Sequence, residues 1–319
     1  MTRIAVIGTG GWGKNHVRVL SELGVLVAVC DLDRSRSEVY AKKFGIKGYS
    51  NVDEMIRSEA LDGVTIATPA STHVSVASKT LRAGINTFVE KPMTSSVQEG
   101  EELIKIAEAS GKILTVGFIE RFNPAISELK KLTKGGSLGR PILFQYDREN
   151  RRGDNITDVG VVKDASVHDI DTARWLFGEV VEVNCRAEAN VYTNILNDFW
   201  MTLKHQSGLE VPVFSSGHAS WIIPFERVEV IGDHSCIITE ELNRISYTLG
   251  LDLPTQVQEF HYLPPTTSWG VEEEDRLFVD ALIAKKSPPV TVDDGYKTVE
   301  IIEALYRSAK IGKPVQLPL

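Results

Sequence analysis

The sequence predicts an α/β chain of two domains. A doubly wound parallel sheet occupies roughly the first 120 residues, and an α+β domain with a mostly antiparallel sheet follows. Three observations carry this. Strand-sized apolar runs alternate with capped helical stretches up to about residue 120, which demands a parallel sheet with helices on both faces. A glycine-rich turn stands directly after the first run. Beyond Pro124 the texture changes to short stretches of period-2 alternation.

In the first half, Arg3–Ile7, Leu26–Cys30, Val64–Ala67, Asn86–Glu90 and Ile113–Gly117 read as strands. None alternates cleanly between polar and apolar, as expected of strands buried on both faces. The helices between them are punctuated. One covers Lys14–Leu23, and Asp33 caps another that runs to Phe44 and closes at Gly45. Ser71 or Thr72 opens a helix ending at Ala83-Gly84, and Ser95 opens one ending before Gly111.

In the second half, a helix over Pro124–Lys134 stops at Gly135-Gly136, followed by a strand, Pro141–Tyr146, and a charged loop, Asp147–Asp158. A helix from Val161 to Phe177 stops at Gly178, and about six strands are expected between Glu179 and Tyr262. Two helices, Glu272–Lys285 and Asp294–Lys310, close the chain. The resulting division is 1–120 and 121–319, with the last helix free to return to the first domain.

Composition narrows the function classes. The 319 residues are 42% hydrophobic and 24% charged, enough for a sizeable core without a spanning segment. A net charge of −8 gives no field that would gather nucleic acid or an anionic membrane. The three cysteines, Cys30, Cys185 and Cys236, form neither a disulfide framework nor a zinc spacing, so no metal is expected. Met1-Thr2-Arg3 leads straight into an apolar run, so a signal peptide is not expected and a cytoplasmic location is.

The chemistry-bearing motifs lie at strand ends. Gly8-Thr9-Gly10-Gly11-Trp12-Gly13 matches G-x-G-x-x-G, follows a predicted strand and opens a predicted helix. Gly8 allows the tight turn, Gly10 admits a pyrophosphate to the backbone, and Gly13 lets helix and strand pack closely. The helix N-terminus offers unpaired N–H groups to the phosphates. Asp31 ends the second strand about twenty residues on, where a carboxylate accepts the ribose hydroxyls and repels a 2′-phosphate. NAD is therefore favoured over NADP, although Arg34 and Arg36 stand close enough to meet a 2′-phosphate. Thr68-Pro69 with His73, and Glu90-Lys91-Pro92, end strands at the carboxyl edge where such sheets bind ligands. A structural Glu90–Lys91 ion pair is the ordinary alternative. On the Val161–Phe177 helix, Asp164 and His168 stand at i and i+4 on one face, which suits a general acid/base pair. An exposed ion pair is the ordinary alternative there. Arg148, Arg151 and Arg152 cluster in the charged loop, where they could hold a diphosphate by charge-assisted bonds.

Together these motifs resemble the glucose–fructose oxidoreductase / inositol dehydrogenase family. The resemblance runs over nearly the whole chain and rests mainly on Glu90-Lys91-Pro92 with Asp164-x-x-x-His168. It implies a Rossmann domain, then a domain with a large open antiparallel sheet whose exposed face commonly makes homodimers or homotetramers. It implies that Lys91 touches both the nicotinamide ribose and the substrate hydroxyl, with Asp164 and His168 as catalytic partners. Phe118-Ile-Glu-Arg-Phe-Asn-Pro124, Asp158-Val-Gly-Val-Val-Lys-Asp164 and His168-Asp-Ile-Asp171 look like the branch that oxidises nucleotide sugars. The implied substrate carbon is C3 of a UDP-linked N-acetylhexosamine, with Arg121, Asn123, Arg151 and Arg152 toward the substrate. A dehydrogenase of a free polyol or hexose such as inositol is the first rival reading. A non-catalytic NAD-sensing protein is the second, and it has no need of Lys91, Asp164 and His168.

Overall fold

The computed structural model describes residues 2–149, 162–189, 196–217, 226–250, 252–261, 263, 267 and 269–319. The chain forms two units, Met1–Phe118 with Val271–Val299, and Ile119–Gly270 with Glu300–Leu319.

The first unit carries strands β1 (Ile4–Ile7), β2 (Leu26–Cys30), β3 (Lys47–Tyr49), β4 (Gly63–Ile66), β5 (Asn86–Glu90) and β6 (Leu114–Gly117). They form a six-stranded sheet in the order β3-β2-β1-β4-β5-β6, and every pairing is parallel. The order reverses beside β1 and β4, which is the switch point where such sheets bind ligands at their carboxyl edge. Strand β3 is absent from the sequence reading. Its Lys-Gly-Tyr has no apolar run, because an exposed edge strand buries little.

The helices of this unit are α1 (Gly13–Glu22), α2 (Arg34–Phe44), α3 (Val52–Ser58), α4 (His73–Arg82) and α5 (Val97–Ser110). Asp33 accepts from the Ser35 N–H to start α2, and Gly45 ends it at φ 66°, a conformation glycine adopts without steric cost. The cap of α5 is Ser96, one residue later than expected. The Glu99 carboxylate turns back to the Ser95 N–H instead, at 2.9 Å. The core joins Ile4, Val6, Val29 and Phe88 of the sheet to Val17 and Leu20 of α1 and to Phe278 and Val279 of a late helix. That late helix presses close to the sheet, because a Cβ on Gly63 would lie 2.8 Å from Leu282. Truncating Phe278, which is 1% exposed, would cost about 3–5 kcal/mol.

The second unit begins with α6 (Pro124–Lys134), capped by Asn123, whose side chain accepts from the N–H groups of Ala125 and Ile126. Its strands are β7 (Pro141–Glu149), β8 (Val180–Ala189), β9 (Leu196–His205), β10 (Glu210–Ser216), β11 (Glu226–Gly232), β12 (Cys236–Glu240), β13 (Arg244–Tyr247) and β14 (Gln256–Glu259), with β15 (Val315–Gln316) at the edge. The described residues form a nine-stranded sheet, β14-β13-β12-β11-β7-β10-β9-β8-β15, antiparallel except between β7 and β10. Strand β7 runs through Asp147-Arg-Glu149, part of the expected charged loop. Pairing on both sides satisfies its backbone, which outweighs the charge of the segment.

Burial alternates along β9, with Phe199, Met201 and Leu203 inward. The inner face packs on the end of the last helix, where Phe199 meets Tyr306 edge to face at 5.8 Å. On the other face Trp200 is 45% exposed, flanked by Arg186 and Phe214, along a groove of about 650 Å³. The expected helix from Val161 divides into a π-helical turn, Val162–Ser166, and α7 (Val167–Phe177). Two long helices follow, α8 (Val271–Ala284), in the first unit, and α9 (Val292–Ile311), which starts in the first and ends in the second. Among the described residues no helix is long and apolar enough to cross a membrane, and no acidic, histidine or cysteine cluster could hold a metal ion. Burial pushes the thiols of Cys30 and Cys185 up to about 12, so both behave as small hydrophobes.

Candidate active site

The dinucleotide turn is built from four glycines with different tasks. Gly8 has φ 89°, and a Cβ there would lie 2.5 Å from the Ala67 carbonyl oxygen. A Cβ on Gly13 would lie 2.0 Å from the Gly8 carbonyl oxygen, so the first turn of α1 sits directly on the end of β1. Gly10 and Gly11 differ. A Cβ on Gly10 meets only the Arg36 guanidinium, at 3.7 Å, and one on Gly11 meets nothing within 4 Å. Two glycines are thus demanded by internal packing, while two keep open space above the loop at a helix N-terminus. That is the cradle a pyrophosphate needs.

Asp31 stands at the end of β2 with one carboxylate oxygen taking both the N–H (2.8 Å) and the hydroxyl (2.9 Å) of Thr9. Its other oxygen accepts the Asp33 N–H at 3.0 Å. These bonds hold the carboxylate to the glycine turn in an orientation suited to ribose hydroxyls. The residues present fit a nicotinamide dinucleotide.

Farther along the carboxyl edge, His73 is buried and braces two strand ends. Its Nδ1 lies 2.8 Å from the Pro92 carbonyl and its Nε2 2.9 Å from that of Thr68. Burial holds this imidazole below its ordinary range despite the two acceptors. Thr68 in turn accepts the Thr72 hydroxyl at 2.8 Å, and Pro69 stands exposed beside it. Glu90 is buried, with room for its carboxylate made by Gly117, where a Cβ would lie 2.8 Å from Oε1. Its Oε1 accepts the Trp12 indole N–H at 2.8 Å, so Trp12, expected at the cofactor, ties the glycine turn to β5. Its Oε2 accepts the Lys91 N–H at 3.1 Å, and Lys91 itself is half-buried.

Two residues here escaped the sequence reading. His16 lies between carboxylates, 3.0 Å from Glu90 and 2.8 Å from Asp275 of α8. A histidine three places beyond the third glycine was a usable signal, but its partner Asp275 was not recoverable from any spacing rule.

In the second unit, Asp164 lies in the π-helical turn, half-buried, and His168 in the first turn of α7, where it is 7% exposed. The i,i+4 argument assumed an unbroken α-helix. A π-turn bonds i to i+5, so the spacing of Asp164 and His168 spans the junction of two helical forms. Such turns are frequent at functional sites. Arg121 is buried and forms a bidentate pair with Asp171, at 2.7 and 2.6 Å. Its guanidinium lies 5.8 Å from the Trp175 ring. Asn123 caps α6 and donates to the Leu242 carbonyl at 2.8 Å. Arg121 and Asn123, two of the four residues expected toward a substrate, make these bonds within the second unit. Arg148 lies on β7, in register with Ser215 and Glu226. Arg151 and Arg152 lie outside the described residues.

Comparison with known proteins accords with this geometry. Residues 2–118 match the oxidoreductase family with an NAD-binding Rossmann fold, and residues 130–317 match that family's C-terminal alpha/beta domain. A scyllo-inositol 2-dehydrogenase (NAD(+)) of Bacillus subtilis is 30% identical over 336 residues, covering 99% of this chain and 96% of that protein. A UDP-N-acetylglucosamine 3-dehydrogenase of Acidithiobacillus ferrooxidans is 30% identical over 205 residues, 64% of each chain. The crystal structure of an oxidoreductase from Agrobacterium radiobacter in complex with NAD+, L-tartaric acid and magnesium superposes with a TM-score of 0.90. It is 20% identical and covers 99% of this chain and 98% of that one. With an open glycine cradle, a ribose carboxylate and a matching profile over both halves, the chain belongs to the glucose–fructose oxidoreductase / inositol dehydrogenase family of NAD-binding dehydrogenases.

Proposed function

We propose that the protein oxidises a secondary hydroxyl of a sugar with NAD, and that the carbon oxidised is C3 of a UDP-linked N-acetylhexosamine. The observation that carries the dehydrogenase reading is Lys91, held at the end of β5 by a buried carboxylate that also binds the glycine turn. Bound NAD supplies the hydride acceptor at its nicotinamide ring, and the protein supplies orientation and proton handling. Gly8, Gly10, Gly11, Trp12, Gly13, Asp31, Thr68, Pro69, His73, Glu90 and Lys91 form the cofactor side of this reading. Lys91 and His168 handle the hydroxyl proton, one as base and the other as donor to the developing alkoxide. Asp164 favours the charged form of the imidazole. A free imidazole titrates near neutrality, whereas an ammonium group serves as a base there only when burial or nearby positive charge disfavours its charged form.

Residues 1–120, with α8 packed back on their sheet, are assigned to the cofactor, and the rest of 121–319 to the substrate and to oligomerisation. Support for the nucleotide sugar comes from the relative of that activity and from the arginines at 148, 151 and 152, which suit a diphosphate. The polyol reading is favoured by a different observation, the scyllo-inositol dehydrogenase that matches along the full chain. The exposed Trp200 face of the nine-stranded sheet is the surface through which copies would form a homodimer or homotetramer. Unpaired cysteines suit a cytoplasmic enzyme.

Incubation with NAD and a panel of UDP-sugars and polyols, followed at 340 nm, tests the reading. Turnover of UDP-N-acetylglucosamine supports it, turnover of inositol alone replaces the substrate, and tight NAD binding without any turnover favours a sensor. Lys91→Ala and His168→Ala should each lower kcat by about 10²–10⁴ with NAD affinity largely kept. Wild-type rates in both would refute the assignment.

A further inference from the structure

The first unit contains a fully buried pair, His16 and Asp275, that the proposed function does not use. His16, in the first turn of α1, has no solvent exposure. Its Nδ1 lies 2.8 Å from Asp275 Oδ1 and its Nε2 3.0 Å from Glu90 Oε1, while the ring meets Phe88 edge-on at 5.4 Å. Glu90 passes the connection on, with Oε1 accepting the Trp12 indole N–H and Oε2 the Lys91 N–H. Trp12 lies in the dinucleotide turn, and Lys91 is the residue assigned to the proton.

A neutral imidazole has one donor and one acceptor nitrogen, so it would turn a lone pair on one of the two carboxylates. Only the imidazolium donates to both. The charged groups facing it are Glu90, which ends β5, and Asp275 from α8; Lys91 acts on Glu90, and Arg18 of α1, paired with Glu22 and Glu272, acts on Asp275. Burial opposes the charge, but Asp275 and Glu90 outweigh it and hold His16 well above the ordinary histidine range. The same contact pulls Glu90 below the usual carboxylate range against its burial. Burial raises Asp275 against the pull of His16.

We propose that His16, backed by Asp275, is a positioning residue whose imidazolium fixes the Glu90 carboxylate and thereby links the dinucleotide turn at Trp12 to the strand end at Lys91. The inference rests on the reading of Lys91 as a proton-handling group. It gives Asp275, far along the chain on α8, a part in the chemistry at β5.

The substitutions separate positioning from simple packing. In His16→Gln the new amide donates to one carboxylate and turns its carbonyl oxygen on the other. Adding Asp275→Asn supplies a donor for that oxygen and restores an unbroken, uncharged chain to Glu90. On the full-length protein, His16→Gln should lower kcat by about 10–100-fold, as expected of a misplacement near 1 Å, with the substrate KM little changed. The double variant should recover at least tenfold of this loss. A folded His16→Gln with kcat within threefold of wild type would overturn the proposal, as would a double variant no faster than the single one.

Lys91→Ala serves as the reference. If it turns over like wild type, the reading of Lys91 has failed, whereas a dead Lys91→Ala beside a normal His16→Gln sinks the link alone. Nitrogen chemical shifts of the His16 ring give a readout that needs neither substrate nor the His16 variant. Above the ordinary histidine range the wild-type ring should still carry both protons, and in Asp275→Asn its titration should move down. A neutral ring in the wild type overturns the imidazolium.

Discussion

Gly10→Ala separates the cofactor cradle from the stability of the fold. A Cβ at Gly10 meets only the tip of the flexible Arg36 side chain, at 3.7 Å, an ordinary van der Waals distance. No positive φ is required at this position. The folded state therefore accepts alanine without strain, and the unfolded chain loses freedom, which stabilises the protein by about 0.4–1 kcal/mol. The same methyl group occupies the space through which a pyrophosphate reaches the loop N–H groups. Hydrogen bonds to a charged group contribute about 1.5–3 kcal/mol each. Losing one of them should weaken NAD binding roughly 10–100-fold, at about 1.4 kcal/mol per decade. Calorimetric titration gives the affinity and a thermal melt without ligand gives the stability. The expected result is a melting temperature equal to or above wild type with much weaker NAD. Gly13→Ala is the contrast, because its Cβ would lie 2.0 Å from the Gly8 carbonyl, and there both quantities should fall. Wild-type NAD affinity in Gly10→Ala would refute the assignment of this turn.

Asp31→Ala should narrow the preference for NAD over NADP by about 1–3 kcal/mol, read as the ratio of kcat/KM for the two cofactors. A wild type that prefers NADP would move the weight to Arg34 and Arg36. Arg121→Met strands the buried Asp171 carboxylate and should cost about 3–5 kcal/mol, lowering Tm by roughly 10 °C, whereas Arg121→Met with Asp171→Leu should recover much of it. An unshifted melt in the single variant would contradict the buried pairing. The stability His16 contributes should depend on pH in a defined window. Its raised value makes the contribution full below about pH 6.5 and lost as pH rises through the folded value. Glu90, lowered in the fold, contributes above about pH 4.3 and loses this as pH falls through its folded value. Chemical unfolding of wild type and His16→Gln across pH should give a difference largest between about pH 4.3 and 6.5, and a flat difference would argue against the charged network.

Features set by neighbours along the chain were legible before any coordinates. The span of α2 from Asp33 to Gly45, the start of α6 at Pro124, and the glycine turn on a strand end are all decided within a few residues. There, backbone geometry and local hydrogen bonds dominate. The parallel sheet was legible too, since strands buried on both faces must be apolar throughout. Strand β3 was not, because its place comes from pairing with β2 and not from its own composition. The π-turn at Asp164 was hidden for a related reason. A 3.6-residue period is a property of unbroken α-helix, and nothing local in Val-Lys-Asp-Ala-Ser announces a wider turn.

The site divided along the same line. Lys91, Asp31 and the glycines could be singled out because they stand at strand ends. No spacing rule joins Arg121 to Asp171, the carboxylate that the fold brings to its buried guanidinium. His16 and Asp275 are 259 residues apart and meet only because α8 returns to pack on the first sheet. Propensity and spacing act over a few residues. Which buried charge answers which is determined by the packing that takes both out of water.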